Sequence, residues 1–298
     1  METGLDLAES RGCSVDRGQA MKHFVTSDGL SLAYEDEGEG TPILCIPGLT
    51  RNGADFLPVA DGFRDVARII RIDLRGRGAS QYDDNFLNYN VLTEARDVIE
   101  LLDHLGLPQV TIFGTSRGGL IALALAALAR DRLRAVLLND IGPHVDPEGM
   151  ARIVGFLGLP PVEKTLDALA ERHARETAAA FPGVSVAKWR SFLAGNVRET
   201  AEGLELCYDS RLRDAVITQL EEGPAPDLWP VFDLFAGLPL AVLHGVNSDI
   251  LTHETVAEMR SRRPDLTYVP VKDRGHIPFL DEPECQTAIR AFIAALPA

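Results

Sequence analysis

The feature that most constrains this sequence is a glycine-rich turn, residues 114–119 (GTSRGG), which follows a strand-like segment and opens a helix-like one. Residues 110–113 (VTIF) are β-branched or aromatic, as is typical of a buried strand, and residues 117–130 form a long apolar helix pattern. In a turn this sharp, side chains at Gly114 or Gly118 would collide with neighbouring backbone, so glycine is needed there. We therefore predict a strand, a sharp turn that exposes its central serine, and a helix.

Strand and helix patterns alternate through the first half of the chain. The predicted strands are residues 43–46, 68–72, 110–113 and 135–138, and a helix is predicted over residues 90–105. This alternation indicates parallel strands joined by right-handed crossovers. Residues 23–26 and 30–34, on either side of a Ser-Asp-Gly turn, predict an antiparallel hairpin at the sheet edge.

The alternation stops after Asp140. Residues 143–232 have helix patterns interrupted by glycine and proline, and they contain no clear strand pattern. Further on, strands are predicted over residues 240–244 and 267–271, and helices over residues 254–260 and 283–295. The sequence thus predicts an α/β fold with three parts: an N-terminal tail (1–22), a core (23–142 and 233–298) and an inserted helical domain (143–232).

The sharp turn also predicts where chemistry takes place. It lifts the Ser116 hydroxyl clear of the sheet and directs the N–H groups of a helix N-terminus at any oxyanion formed beside it. A hydroxyl is a poor nucleophile until a base removes its proton. The candidate base is His276, one of seven histidines, because it follows the last predicted strand. Loops at the carboxyl ends of parallel strands form the sites of α/β folds.

A base of this kind needs a carboxylate that orients the imidazole. Asp249 is the predicted partner, since it lies in a turn with glycine and asparagine and gives the chain order Ser116, Asp249, His276 expected of this strand–turn–helix motif. Asp140 is the alternative, because it also follows a predicted strand. Its other interpretation is a structural role in the turn where the chain leaves the sheet.

Two backbone donors are needed to stabilise an oxyanion. The predicted donors are the N–H of Arg117, directly after the serine, and the N–H of Leu49, in the loop that follows residues 43–46. Gly48 lets this loop turn inward. Residues 73–80 (DLRGRGAS) are also glycine-rich, but they lack the G-K-[ST] of a phosphate-binding loop, so nucleotide binding is not predicted.

Composition excludes several classes of partner. The formal charge of −15 would repel nucleic acid and anionic membrane surfaces. The first twenty residues contain no signal-peptide pattern, and the longest apolar run, residues 120–129, is too short to span a bilayer.

The cysteines are widely spaced and are predicted to be free thiols in a reducing compartment: Cys13, Cys45, Cys207 and Cys285. We expect a cytoplasmic protein that needs no metal or organic cofactor. The sequence does not determine the oligomeric state, and a homodimer is the candidate assembly.

Together these segments resemble the α/β-hydrolase superfamily. The matching segments are the loop PGLT, DLRGRGAS, GTSRGG, the loop NSD and GHIPFLDEPE before the last helix. Many members have His-Gly where this chain has Pro47-Gly48, a change that keeps the backbone donor. The resemblance implies a mostly parallel, eight-stranded sheet flanked by helices, with an antiparallel edge strand and with residues 143–232 as a helical cap over the site.

The resemblance also implies a function. Serine members cleave esters, lactones, amides or carbon–carbon bonds, whereas haloalkane dehalogenases and epoxide hydrolases use aspartate where this chain has Ser116. We expect a hydrolase of a small, largely apolar ester or lactone that acts through an acyl-enzyme. The alternatives are a carbon–carbon bond hydrolase and a small-molecule receptor with slow turnover. Substrate contacts are expected from Trp189 and Tyr208 in the cap and from Ile277 beside His276.

Overall fold

The computed structural model describes residues 20–223 and 225–296. The strands are β1 (Lys22–Val25), β2 (Ser31–Glu37), β3 (Pro42–Ile46), β4 (Arg68–Ile72), β5 (Val110–Thr115), β6 (Leu133–Asn139), β7 (Val197–Thr200), β8 (Gly203–Leu206), β9 (Leu240–Gly245) and β10 (Thr267–Val271). Eight of them form one sheet in the order β1-β2-β4-β3-β5-β6-β9-β10. The pairings β1–β2 and β2–β4 are antiparallel and the others are parallel, which confirms the predicted sheet.

Helices cover both faces of this sheet. The α-helices of the described residues are α1 (Leu57–Phe63), α2 (Val91–His104), α3 (Arg117–Leu128), α4 (Pro147–Phe156), α5 (Leu166–Glu176), α6 (Val186–Ala194), α7 (Leu212–Glu221), α8 (Trp229–Asp233), α9 (His253–Arg262) and α10 (Pro283–Ala294). Apolar residues of α2, α3 and α9 join the core on one face, and those of α1 and α10 join the core on the other.

Strand β3 shows why the predicted strands are continuous apolar runs. Its Leu44 and Ile46 pack into the core on one face of the sheet, whereas Ile43 and Cys45 pack into the core on the other face. Successive side chains of a strand point to opposite faces, so a parallel strand covered on both faces must be apolar at every position. This arrangement holds the carboxyl ends of the parallel strands at one edge, where their loops meet.

The segment between β6 and β9 holds α4 to α8 and a separate hairpin formed by β7 and β8. The prediction that this segment lacks strands is therefore wrong. Both strands are short and carry charged residues on their exposed side, such as Arg198 and Glu205, so no apolar run marked them. The predicted cap boundary at residue 232 falls inside α8, whose Phe232 packs in the same core as α3. The division of the chain into domains remains a prediction.

The chain termini and cysteines complete the comparison. Residues 1–19 of the predicted tail lie outside the described residues, and Lys22 already belongs to β1. Cys45 and Cys285 are free and buried, whereas Cys207 takes part in a disulfide bond, so the free-thiol prediction is wrong there. Distance along the sequence does not limit which cysteines can meet in a fold. Cys13 lies outside the described residues. Among the helices of the described residues, none is long and apolar enough to cross a membrane.

Candidate active site

Ser116 lies on the predicted sharp turn. Strand β5 ends at Thr115, α3 begins at Arg117, and the serine between them has φ 49° and ψ −112°. A non-glycine residue with positive φ is strained, and such strain is typical of functional sites. A Cβ on Gly118 would lie 2.0 Å from the carbonyl oxygen of Ile46, so only glycine fits there. The predicted strand–turn–helix is confirmed.

His276 reaches Ser116 from the loop after β10. Its Nε2 lies 2.9 Å from Ser116 Oγ, which is hydrogen-bonding distance. The loop is fixed against the sheet, because the side-chain amide of Asn139 donates to the carbonyl oxygen of Pro278 at 3.3 Å. The structure therefore brings together the two residues that the sequence predicts as nucleophile and base.

The carboxylate that contacts His276 belongs to Asp140. Its Oδ2 lies 2.7 Å from His276 Nδ1, and its side chain is fully buried. The backbone N–H of Gly245 and the hydroxyl of Ser248 also donate to this carboxylate, at 2.8 and 2.6 Å. Asp140 has φ 56°, a conformation that aspartate tolerates better than most residues. The side chain thus accepts hydrogen bonds from a neighbouring strand and its loop, not from its own turn.

The prediction that Asp249 orients His276 is therefore wrong. The Asp249 carboxylate instead accepts from Nε and Nη2 of Arg152, on α4, at 2.5 and 2.7 Å. The Asp249 side chain is 46% exposed. Partial burial raises the pKa of Asp249, but the hydrogen bonds and charge of Arg152 outweigh it, so the net pKa is below the ordinary value. The turn with glycine and asparagine favoured Asp249, yet its side chain contacts the inserted segment.

Both predicted oxyanion donors border the serine. A Cβ on Gly48 would lie 3.7 Å from Ser116 Cβ, so the loop that carries Leu49 passes beside the nucleophile. Within residues 20–223 and 225–296, the N–H groups of Leu49 and Arg117 donate to no acceptor. The Leu49 N–H lies in the loop after β3, and the Arg117 N–H lies at the N-terminus of α3. Both groups are therefore free to bind an oxyanion.

The inserted segment covers the loops around Ser116. Arg51, two residues beyond Leu49, donates from Nη2 to the carbonyl oxygen of Phe192 on α6 at 2.8 Å. Rings of the insertion also pack on Phe279, three residues after His276: the Trp189 and Phe192 rings each lie 5.1 Å from it, centroid to centroid. The insertion therefore contacts both the loop of the predicted oxyanion donor and the loop of the predicted base.

The predicted substrate contacts have different surroundings. Trp189 is 2% exposed and packs inside the aromatic cluster with Phe279, and Tyr208 is 4% exposed, its hydroxyl accepting a hydrogen bond from the N–H of Gly158. Ile277 is half-buried next to His276. These contacts show packing roles for Trp189 and Tyr208, while the contact of all three with substrate stays a prediction.

The comparisons with known proteins agree with this arrangement. Residues 41–283 match the family described as alpha/beta hydrolase fold. The chain belongs to the α/β-hydrolase family. A crystal structure of an α/β hydrolase from Novosphingobium aromaticivorans is 34% identical, with a TM-score of 0.86, and covers 92% of this chain and 98% of that one.

Two curated relatives of this chain carry functional names. A 3-hydroxybutyrate-oligomer hydrolase from Cupriavidus necator is 35% identical over 277 residues, covering 89% of this chain and 93% of its own length. A 2-(acetamidomethylene)succinate hydrolase from Mesorhizobium japonicum is 25% identical over 265 residues, covering 86% and 90%. Names of this kind support a hydrolase and differ in substrate.

Sequence reasoning missed a set of buried charged residues that includes the neighbour of Ser116. Arg77 and Arg117, which directly follows the serine, both form buried ion pairs with Glu94. One signal was available: Glu94 falls on the apolar face of α2, next to Ala95 and one turn from Val91. A charged residue on a buried helix face is costly unless it is paired, so its position indicates a buried partner.

Proposed function

We propose that this protein is a serine hydrolase that cleaves a small, largely apolar carboxylic ester through an acyl-enzyme on Ser116. The observation that supports it is the unbroken chain of contacts from Ser116 Oγ through His276 to Asp140, at 2.9 and 2.7 Å. In such a chain the imidazole accepts the serine proton and the buried carboxylate stabilises the imidazolium.

The proposed reaction has two steps. Ser116 Oγ attacks the ester carbonyl while His276 Nε2 takes its proton, and the resulting oxyanion binds the N–H groups of Leu49 and Arg117. His276 then gives the proton to the leaving alcohol, which leaves the acyl group on Ser116. A water molecule, deprotonated by the same imidazole, attacks the acyl-enzyme and releases the acid.

Linear oligomers of 3-hydroxybutyrate are the first substrate class to test. The relative named for these oligomers is 35% identical to this chain over nearly nine-tenths of it. Their repeating bond is a carboxylic ester between small, mostly aliphatic units, which fits the small, largely apolar ester expected from the sequence. A lactone would enter the same reaction, since ring opening also begins with attack on an ester carbonyl.

A fluorophosphonate probe tests the nucleophile without assuming a substrate. It should add once, at Ser116, as located by peptide mass spectrometry, and Ser116→Ala should not react. Ser261→Ala, at an exposed serine of α9, is the matched control and should react like the wild type. Labelling of another residue, or full ester hydrolysis by Ser116→Ala, would overturn the proposal.

A substrate panel then separates the alternatives. Simple p-nitrophenyl esters of increasing chain length, lactones and 3-hydroxybutyrate dimers and trimers should be hydrolysed with steady turnover, and with full rate after EDTA treatment. Ligand-dependent melting shifts with negligible turnover would favour a receptor. Cleavage restricted to carbon–carbon bonds would favour a carbon–carbon bond hydrolase.

A further inference from the structure

A buried ion-pair network joins the backbones of the two predicted oxyanion donors. Glu94, on α2, accepts from Arg77 Nη1 and from Arg117 Nε, each at 2.7 Å. The side chains of Arg77 and Glu94 are fully buried, and that of Arg117 is 8% exposed. One carboxylate thus holds two arginines from different segments, one in the loop after β4 and one at the start of α3.

Arg77 connects the network to the loop of Leu49. Its Nε donates to the Leu49 carbonyl oxygen at 2.8 Å. Leu49, whose N–H is one predicted oxyanion donor, is therefore held through its carbonyl group. The backbone of Arg77 is fixed as well, because Gly78 N–H donates to the Cys207 carbonyl oxygen at 2.9 Å. Because its guanidinium and its adjoining backbone are both held, Arg77 is a rigid support for the loop of Leu49.

Arg117 connects the network to the other donor, since the residue that pairs with Glu94 also carries the second N–H. Its Nη2 makes a further hydrogen bond to the Tyr89 carbonyl oxygen at 3.2 Å. The side chain therefore holds the first residue of α3, where the chain turns sharply after Ser116.

Stability alone does not account for these charges. Burial by itself raises the pKa of Glu94, but the charges of Arg117 and Arg77 outweigh it, so the net pKa is lowered and the carboxylate stays ionised. Two arginines against one carboxylate leave a buried positive charge, and Arg77 Nη2 is buried without a hydrogen-bond acceptor among the described residues. Apolar replacements for buried ion pairs are often neutral or stabilising, so stability alone does not explain the network, and its contacts with both donor residues point to a positioning role.

We propose that Arg77 and Glu94 are positioning residues that hold the N–H groups of Leu49 and Arg117 at the separation an oxyanion needs. The inference rests on the proposed function, because it concerns the same Ser116 chemistry. It adds residues that touch neither the serine nor the histidine. Donors must be placed where the charge develops, and the loss of one donor costs about 10²-fold to 10³-fold in rate.

The test measures phosphonylation of Ser116 by a fluorophosphonate, which needs the oxyanion donors but no known substrate. Glu94→Gln and Arg77→Lys should slow the reaction per folded molecule by about 10-fold to 100-fold, less than the loss of a whole donor. Arg77→Lys keeps the charge beside Glu94 but loses the planar fork that reaches the Leu49 carbonyl. Ester hydrolysis should lose kcat by a similar factor with little change in KM.

A neighbouring ion pair provides the matched control. Arg75 and Asp97 are equally buried and are joined by hydrogen bonds of 2.6 Å, two and three residues from Arg77 and Glu94. Asp97→Asn should lower the melting temperature and leave the labelling rate per folded molecule within about 3-fold of the wild type. If the Glu94 and Arg77 variants fold and label no more slowly than Asp97→Asn, the network is structural only and the inference fails.

The two proposals fail in different ways. If the wild-type protein is not labelled at Ser116, the proposed function fails. If the wild type is labelled normally and the network variants are too, only the positioning role fails. A trifluoromethyl ketone, whose tetrahedral adduct places an oxyanion in the same position, should lose affinity in both network variants by the factor lost in kcat/KM. An unchanged affinity would also contradict the inference.

Discussion

Asp140 and His276 are in direct contact, with Oδ2 and Nδ1 2.7 Å apart, although 136 positions separate them in the chain. Asp140 directly follows β6, the strand that pairs with β5 and so lies next to the strand of Ser116. His276 comes from beyond β10, and its loop folds back across the end of β9 to reach this carboxylate. The three residues of the proposed active site therefore follow the carboxyl ends of three parallel strands of one sheet.

The first prediction concerns the choice between the two aspartates. Asp140→Asn should lower kcat by roughly 10³-fold to 10⁴-fold, by analogy with the serine-protease case in which the orienting carboxylate becomes an amide. Asp249→Asn should lower kcat by less than about 10-fold, because its partner is Arg152 in a largely exposed ion pair of small energy. Steady-state kinetics on both variants, with circular dichroism to check folding, measures the difference.

The same pair of variants includes its own control for stability. Both substitutions keep shape and remove one charge, so a general effect of lower net charge would act on both alike. Greater loss of kcat in folded Asp249→Asn than in folded Asp140→Asn would mean that the loop rearranges when substrate binds, and it would return the orienting role to Asp249.

The mistaken choice of Asp249 shows what the sequence could predict and what it could not. Local patterns predicted the strand before Ser116, the helix after it and the loop of His276, because each depends on neighbours in the chain. The partner of His276 depends on where β6 and β9 lie in the sheet and on which N–H groups meet the carboxylate. Gly245 and Ser248, which hold Asp140, are more than 100 positions away from it, at separations of 105 and 108.

The buried network shows the same limit in another form. The position of Glu94 on an apolar helix face was a signal of a buried partner that sequence reasoning missed, and spacing alone does not say which arginine meets it. Arg75, Arg77 and Arg117 are all buried, and only the last two pair with Glu94. The short strands β7 and β8 could not be predicted either, since their charged residues hid the alternation that marks a strand.

The second prediction concerns the glycines of the turn and of the insertion. Gly118→Ala should destabilise the fold strongly and abolish labelling of Ser116, because the added methyl would overlap the backbone oxygen of Ile46 at 2.0 Å. Gly155→Ala, in α4, is the control: a Cβ there has no neighbour within 4 Å, so alanine should stabilise by about 0.5–1 kcal/mol. Thermal denaturation should show a lower melting temperature for Gly118→Ala and a higher one for Gly155→Ala than for the wild type. A folded, fully reactive Gly118→Ala would contradict this geometry.

The third prediction concerns Ser248, whose hydroxyl donates to Asp140 Oδ2 at 2.6 Å. Ser248→Ala removes one of three hydrogen bonds to a buried carboxylate and should cost about 1–3 kcal/mol of stabilisation of that charge. We expect kcat to fall by about 10-fold, with KM nearly unchanged, since the imidazole is held less firmly. Ser261→Ala, at an exposed position of α9, should leave both constants unchanged. Equal kinetics for the two variants would show that Gly245 N–H alone suffices to hold Asp140.

The last prediction concerns His173 and the pH dependence of stability. His173, on α5, packs edge-on against Trp189 with ring centroids 4.4 Å apart. Burial lowers the pKa of His173 from 6.5 to about 4, and nearby Arg172 contributes in the same direction. Between these two values the unfolded chain binds a proton that the folded protein resists. The contribution of His173 to stability is therefore complete above pH 6.5 and is lost as the pH falls towards 4.

Urea unfolding at pH 7.5 and at pH 5 measures this effect. The wild type should lose free energy of unfolding between the two conditions, and His173→Phe, which keeps an aromatic ring against Trp189, should lose less. His144→Gln, at an exposed histidine, should behave like the wild type. Because the aromatic cluster of His173 and Trp189 packs on Phe279, acid should loosen the contact between the insertion and the His276 loop first. Equal acid sensitivity in His173→Phe and His144→Gln would show that other groups set the acid limit of this fold.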